Sequence, residues 1–149
     1  MKAVVQRVLS ANLKVDGELI SEIGKGLVVF LGIGQGDDEK ALEKLGQKIA
    51  KLRIFEDEQG KMNLSIKDIS GEILLVSQFT LYADCKHGNR PSFITAEKPE
   101  RANKLYQDMK TLLEKEDISV KMGVFGADMK IDALNDGPVT IILNSDELK

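Results

Sequence analysis

Ala3-Val4-Val5-Gln6-Arg7-Val8-Leu9 opens a run of short apolar segments that decides the fold class. It is followed by Asn12-Leu13-Lys14-Val15, by Glu18-Leu19-Ile20-Ser21-Glu22-Ile23 and by Leu27-Val28-Val29-Phe30-Leu31-Gly32-Ile33. The first three segments have strand length and enough alternation to be half-buried strands. Asp16-Gly17 between the second and third is a strong tight-turn dipeptide and predicts a hairpin. The fourth is continuously apolar and rich in β-branched residues, which predicts a strand buried on both faces.

Beyond Gly36 the period changes. Leu42, Leu45, Ile49 and Leu52 fall at helical spacing with Lys and Glu between them. Asp37 is the expected N-cap, and Asp38 and Glu39 favour the first turn through the helix dipole. Gly46 weakens the centre of this helix. Arg53–Phe55 reads as a short strand, Glu56–Lys61 as a polar turn, Ile73–Leu81 as another strand and Tyr82–Thr95 as a long loop. Pro99 suits the first turn of a second helix, whose apolar stripe is Ala102, Leu105, Tyr106, Met109, Leu112 and Leu113. Ser119–Phe125, Met129–Leu134 and Val139–Leu143 are expected as three closing strands, the last two separated by Asn135-Asp136-Gly137-Pro138. Two helices against this surplus of strands, several joined as hairpins, predict an α+β fold with a curved or barrel-like sheet.

Composition narrows the function. The chain has 149 residues, the size of one domain spanning 1–149, and its 42% apolar content is enough for a real core. Lys and Arg number 21 and Asp and Glu 24, giving a net charge of −3, so any RNA contact must be local. With one Cys and one His, neither a disulfide framework nor a Cys/His zinc site can form within the chain. The start of the sequence has no apolar run ending in a small-residue cleavage site, and Gly26–Ile33 is too short to cross a membrane. A cytoplasmic protein without membrane contact is expected.

Several segments invite a chemical reading. Gly32-Ile33-Gly34-Gln35-Gly36 lies between a strand and a helix, the context of a dinucleotide loop. Asp37 occupies the place of the third glycine, however, and residues 37–39 would repel a pyrophosphate, so a tight strand-to-helix connection is the better reading. Cys85 and His87 need not face one another, and no Gly-x-Ser-x-Gly elbow presents a serine to the lone imidazole. Ser77-Gln78-Phe79-Thr80-Leu81-Tyr82-Ala83-Asp84 begins in an apolar strand and runs out into a loop. Its strand-end N–H groups can hold an oxyanion; equally, Ser77 and Thr80 can simply satisfy local backbone groups. In Asn135-Asp136-Gly137-Pro138-Val139-Thr140, Pro138 belongs at a strand start or edge because it has no N–H for a ladder. A cis Gly137–Pro138 bond would point both carbonyls to one side; a trans bond would not.

Taken in order, Val4-Val5-Gln6-Arg7-Val8, Ser77–Asp84, Gly88-Asn89-Arg90-Pro91-Ser92-Phe93, Phe125-Gly126-Ala127-Asp128-Met129 and Asn135–Thr140 resemble the D-aminoacyl-tRNA deacylases across essentially the whole chain. The resemblance implies a cytoplasmic homodimer whose α+β fold is a barrel-like, largely antiparallel β-sheet with two main helices packed outside, and whose active site lies at the subunit interface. It implies hydrolysis of the ester joining a D-amino acid to the acceptor end of tRNA, with no metal or organic cofactor. The catalytic segment would be Gln78, Phe79 and Thr80, with Phe79 offering its backbone N–H to the reacting carbonyl. Ser77, Gly137, Pro138, Phe125 and Met129 would bind substrate, the last two near the terminal adenosine. Arg7 would hold a cis Gly137–Pro138 segment that enters the partner's site and rejects L substrates. Glycyl-tRNA, having no side chain to reject, would also be hydrolysed. Lys86, Arg90 and Lys51 are candidates for local positive charge, although Cys85-Lys86-His87 is less lysine-rich than the family pattern. The alternative is a non-catalytic RNA-end or protein-binding module of the same fold.

Overall fold

In the computed structural model, which describes residues 1–149, strand β1 runs unbroken from Lys2 to Val15. Sequence reading divides this stretch at Leu9-Ser10. The polar interruption instead marks a change of partner: Lys2–Val8 pairs with β3 (Gly26–Gly32) and Ala11–Val15 with β2 (Glu18–Ile23). The opposite edge of β1 carries β8 (Lys130–Asn144) along almost its full length. All three of these pairings are antiparallel.

Two parallel pairings complete the sheet, β3 with β6 (Glu72–Ser77) and β6 with β7 (Ser119–Met122). Parallel neighbours need long crossovers. Helix α1 (Glu39–Lys51), with the small β4–β5 hairpin (Phe55–Glu56, Met62–Leu64), makes the first, and α2 (Pro99–Lys115) makes the second. The sheet order is β2-β1-β3-β6-β7. Its ends approach one another: Ser21 Oγ donates to the Met122 carbonyl at 2.5 Å and Lys121 Nζ to the Glu22 carbonyl at 3.0 Å. The result is the expected nearly closed, mainly antiparallel barrel with two helices outside it.

Alternation along the strands separates two apolar clusters. Val8, Ala11, Leu13, Ile23, Val28, Leu74 and Val76 fill the barrel interior. Leu27, Val29, Leu31, Ile73 and Leu75 point the other way, against Leu45 and Ile49 of α1 and Leu105, Tyr106 and Met109 of α2. The central strands are therefore buried on both faces, which is why their sequence is continuously apolar.

Five boundaries differ from the sequence reading. The N-cap of α1 is Asp38, whose carboxylate accepts from the Ala41 N–H at 2.9 Å. Asp37 is turned back one residue earlier and accepts from the Gly34 N–H and the Met1 amino group, each at 2.7 Å. Strand β4 begins only at Phe55. Strand β6 stops at Ser77 and gives way to a 3-10 turn over Phe79–Tyr82, and β7 stops at Met122. Finally, Asn135-Asp136-Gly137-Pro138 does not separate two strands. It bulges out of one, because β1 advances two residues from Gln6 to Val8 while β8 passes from Thr140 to Asn135. No helix is long and apolar enough to cross a membrane.

Candidate active site

The end of β6 is where buried strand becomes exposed backbone. Ser77 is the last paired residue, opposite Leu31, and the Gln78 N–H donates to the Leu31 carbonyl at 2.8 Å. The chain then coils into the 3-10 turn, whose Leu81 N–H returns to the Gln78 carbonyl at 3.3 Å. The leading N–H groups of such a turn, those of Phe79 and Thr80, have no acceptor inside it. Both residues are exposed, with 57% of Phe79 open to solvent. The Phe79 ring meets the edge of Phe93 at 5.1 Å. The Gln78 side-chain amide donates to Thr80 Oγ1, so the Thr80 hydroxyl is held by an amide, which cannot act as a base.

The turn sits on the glycines that resemble a nucleotide loop. A Cβ on Gly32 would lie 2.9 Å from the Gln78 carbonyl oxygen and 2.9 Å from Leu81 Cβ. A Cβ on Gly34 would lie 2.5 Å from the Tyr82 ring. These glycines let the turn pack down on the end of β3; Gly36 (φ +87°) then supplies the left-handed step into α1. Asp37 locks the arrangement by accepting from the Tyr82 hydroxyl at 3.3 Å as well as from Gly34. Burial, reinforced by this carboxylate, pushes the Tyr82 phenol well above its ordinary range. Lys2 Nζ lies 4.6 Å from the centre of the same ring. Sequence reading missed Asp37, Tyr82 and Phe93 as supports of the site. The close glycine pair at 32 and 34 was the visible signal, but a close approach leaves no trace of what approaches.

Phe125 and Met129 stand at the same end of the barrel. Strand β7 runs beside β6, with Met122 opposite Leu75, and the Gly123 N–H donates to the Leu75 carbonyl at 3.3 Å. The following turn brings the half-buried Phe125 ring to 5.9 Å from Tyr106, whose hydroxyl also donates to the Leu75 carbonyl, at 2.7 Å. Met129 packs back over Gly123, where a Cβ would come within 2.5 Å of its sulfur. Ser77, Gln78, Phe79, Thr80, Phe125 and Met129 are thus gathered at one end of the parallel strands.

Gly137 and Pro138 are elsewhere. They lie in the β8 bulge, exposed, joined by a cis peptide bond, with Gly137 at φ +124°. Arg7 holds this bulge from beneath. The residue is 5% exposed, and its guanidinium donates from Nε to the Asp136 carbonyl at 3.1 Å and from Nη1 to the Ile54 carbonyl at 2.7 Å; Asp136 Oδ2 is 3.4 Å from Nε. From β6 to β8 there are three strand spacings, roughly 14 Å across the sheet, and Pro138 lies several residues further along β8 than the Leu143 that stands level with Ser77. One chain therefore does not bring the two segments together. Cys85 and His87 occupy an exposed loop closed by Asp84 and Ser92, which exchange backbone bonds of 2.7 and 2.9 Å. Neither hydrogen-bonds to the Ser77–Thr80 segment.

Known proteins match this arrangement over the whole chain. A protein of Dictyoglomus turgidum named D-aminoacyl-tRNA deacylase is 52% identical over 149 residues, covering 100% of this chain and 96% of the relative. One of the same name from Thermodesulfovibrio yellowstonii is 55% identical over 145 residues, covering 97% and 99%. Among solved structures, c-Myc DNA Unwinding Element Binding Protein superimposes with a TM-score of 0.91 at 47% identity, covering 97% of this chain and 98% of that one. A probable eukaryotic D-amino acid tRNA deacylase shares the fold with a TM-score of 0.78 at 16% identity, covering 95% and 97%. The family model described as D-Tyr-tRNA(Tyr) deacylase matches residues 4–144. With that match and relatives above half identity over nearly their full lengths, the chain belongs to the D-Tyr-tRNA(Tyr) deacylase family.

Proposed function

We propose that this chain, as a single domain over 1–149, hydrolyses the ester between a D-amino acid and the terminal ribose of tRNA in the cytoplasm. The observation that carries the reading is the exposed 3-10 turn at the end of β6, whose leading N–H groups are free to receive a carbonyl oxygen. An aminoacyl ester is already activated, so positioning and oxyanion stabilisation can supply the catalysis. The Phe79 N–H holds the carbonyl oxygen as charge develops on it, an interaction worth roughly 3 kcal/mol in comparable sites. Water adds to the carbonyl carbon, the neighbouring ribose hydroxyl assists, and the ribose oxygen leaves with a proton. Thr80 is the weaker candidate for attack because no base reaches its hydroxyl. Gln78 orders the turn. Ser77 lines the pocket, and Phe125 and Met129 flank the terminal adenosine.

Chirality is read by a second copy. The main-chain carbonyls of Gly137 and Pro138, held by Arg7, enter the partner's pocket and accept from the substrate ammonium. An L side chain then strikes this wall, a D side chain points to open space, and glycine passes. Two features support a homodimer with shared sites. Gly137–Pro138 is remote from Ser77–Thr80 of its own chain, and Phe79, Leu134 and Ile142 are 57%, 58% and 77% exposed in the isolated chain.

The name of one solved relative points to a second reading, a nucleic-acid binder without hydrolysis. Purified protein incubated with D-tyrosyl-, L-tyrosyl- and glycyl-tRNA separates the two. Rapid loss of the D and glycyl esters with the L ester spared is expected. An unchanged lifetime for all three removes the deacylase reading.

A further inference from the structure

The outer face of α1 carries a line of cations that the site described above does not use. Lys40, Lys44 and Lys48 repeat every fourth residue, and Lys51 and Arg53 continue the line. All five are exposed and line one open groove of about 620 Å³, and Lys51 and Arg53 are shared with an adjoining groove of about 350 Å³. The only carboxylate side chain on the larger groove is Glu43. None of the five is ion-paired; the chain's ion pairs employ other lysines and arginines.

Helix stability does not explain this line. Lys48 and Lys51 suit the last turn, but Lys40 lies in the first turn, where the helix dipole disfavours a cation. Like charges four residues apart also repel by a few tenths of a kcal/mol per pair. A charge line with about 6 Å between successive lysines is relieved by an extended polyanion laid along it. The chain as a whole carries −3, so attraction for a polyanion must come from local clusters of cations such as this one.

The line also ends at the machinery of the site. Arg53 precedes Ile54, whose carbonyl accepts from Arg7 Nη1 at 2.7 Å, and the same guanidinium grips Asp136 beside Gly137. We propose that the α1 face bearing Lys40, Lys44, Lys48, Lys51 and Arg53 holds the phosphodiester backbone of the substrate tRNA. This rests on the deacylase reading. In a dimer with shared sites, tRNA whose end occupies the partner's pocket beside Gly137–Pro138 continues over this chain's α1.

The test compares wild type, Lys44→Glu/Lys48→Glu, and a control of equal charge change away from α1, Lys14→Glu/Lys61→Glu. Uncharged tRNA binding is followed against salt, and hydrolysis is measured on full-length D-tyrosyl-tRNA and on a D-tyrosyl ester of adenosine, which has no stem phosphates. For the α1 variant, the log–log salt slope is expected to fall by about 1 per lysine. The ratio of kcat/KM on tRNA to that on the adenosine ester is expected to drop at least about fivefold, through KM. Unchanged slope and ratio overturn the proposal, as does an equal drop in the control. Tighter binding of the wild-type α1 face to phosphatidylglycerol vesicles than to tRNA also overturns it, in favour of a membrane surface. Wild type inert on both esters removes the deacylase reading, while the binding arm still decides the surface.

Discussion

Arg7 Nε lies 3.1 Å from the carbonyl oxygen of Asp136, at the point where β1 and β8 fall out of step. The same side chain reaches the Ile54 carbonyl through Nη1, so one buried cation ties the β8 bulge to the segment after α1. Arg7→Met removes both charge-assisted bonds and leaves two carbonyls short of a donor. A stability loss of about 3 kcal/mol is expected in urea unfolding, together with a lower deacylation rate. Arg7→Lys recovers only part of both, because one ammonium cannot span the two acceptors. Full recovery by lysine would show that charge alone matters.

Gly32→Ala tests the seat of the 3-10 turn. Its Cβ would press on the Gln78 carbonyl and on Leu81 Cβ, each at 2.9 Å, and backbone cannot yield there as a side-chain tip could. The expected stability loss is about 1–3 kcal/mol. The expected rate loss is about a hundredfold, because the turn that presents the Phe79 N–H is displaced. Wild-type kcat with lowered stability would detach the turn from catalysis.

Thr80→Ala separates water attack from a threonine nucleophile. Its hydroxyl accepts from the Gln78 side chain, and no imidazole or carboxylate bonds to it. Deacylation within about tenfold of wild type is expected, the size of one lost hydrogen bond. A loss of several thousandfold in a folded variant would make Thr80 the attacking group.

Tyr106 predicts an alkaline limb of stability. Its buried phenol, bonded to the Leu75 carbonyl, is pushed up to about 12 by desolvation. The unfolded phenol ionises near 10. The folded state therefore keeps a proton that the unfolded state loses. This contribution is complete below pH 10 and disappears as pH rises to 12, about 2–3 kcal/mol over the window. Tyr106→Phe should cost about 1 kcal/mol at pH 8, since the Leu75 carbonyl keeps the Gly123 N–H, and should flatten the decline above pH 10. Denaturant midpoints between pH 8 and 11.5 measure both effects.

The fold class was legible because its signals are local. Asp16-Gly17 announces the hairpin, the apolar run at residues 27–33 announces a strand buried on both faces, and the stripes through Leu45 and Leu105 announce the helices. What was hidden depends on partners distant in sequence. Leu9-Ser10 looks like a strand end because exposure there reflects a switch of neighbours, from β3 to β2. The β3–β6 and β6–β7 pairings are parallel, which no residue pattern announces. At the site, the resemblance led to Ser77–Thr80, Phe125 and Met129, which the fold gathers at one end, and to Gly137–Pro138, which it sets apart. Asp37 read as a helix cap because an acid before a helix usually is one; only the folded chain turns it toward Gly34 and Tyr82.

The bulge over Asp136–Val139 also constrains the length of β8. Between the Gln6–Thr140 and Ser10–Leu134 pairs, β1 advances four residues and β8 six. The surplus is even, so the odd-numbered residues are the more buried ones on either side of it, Ile131 against the barrel interior and Val139, Ile141 and Leu143 against the helix-side cluster. An insertion or deletion of one residue there would turn half of β8 inside out, carrying Leu143 to the solvent or Ile142 to the interior, whereas a change of two would leave both halves the right way round. The projecting segment can thus vary in reach only by even increments, and the pleat itself sets that quantum.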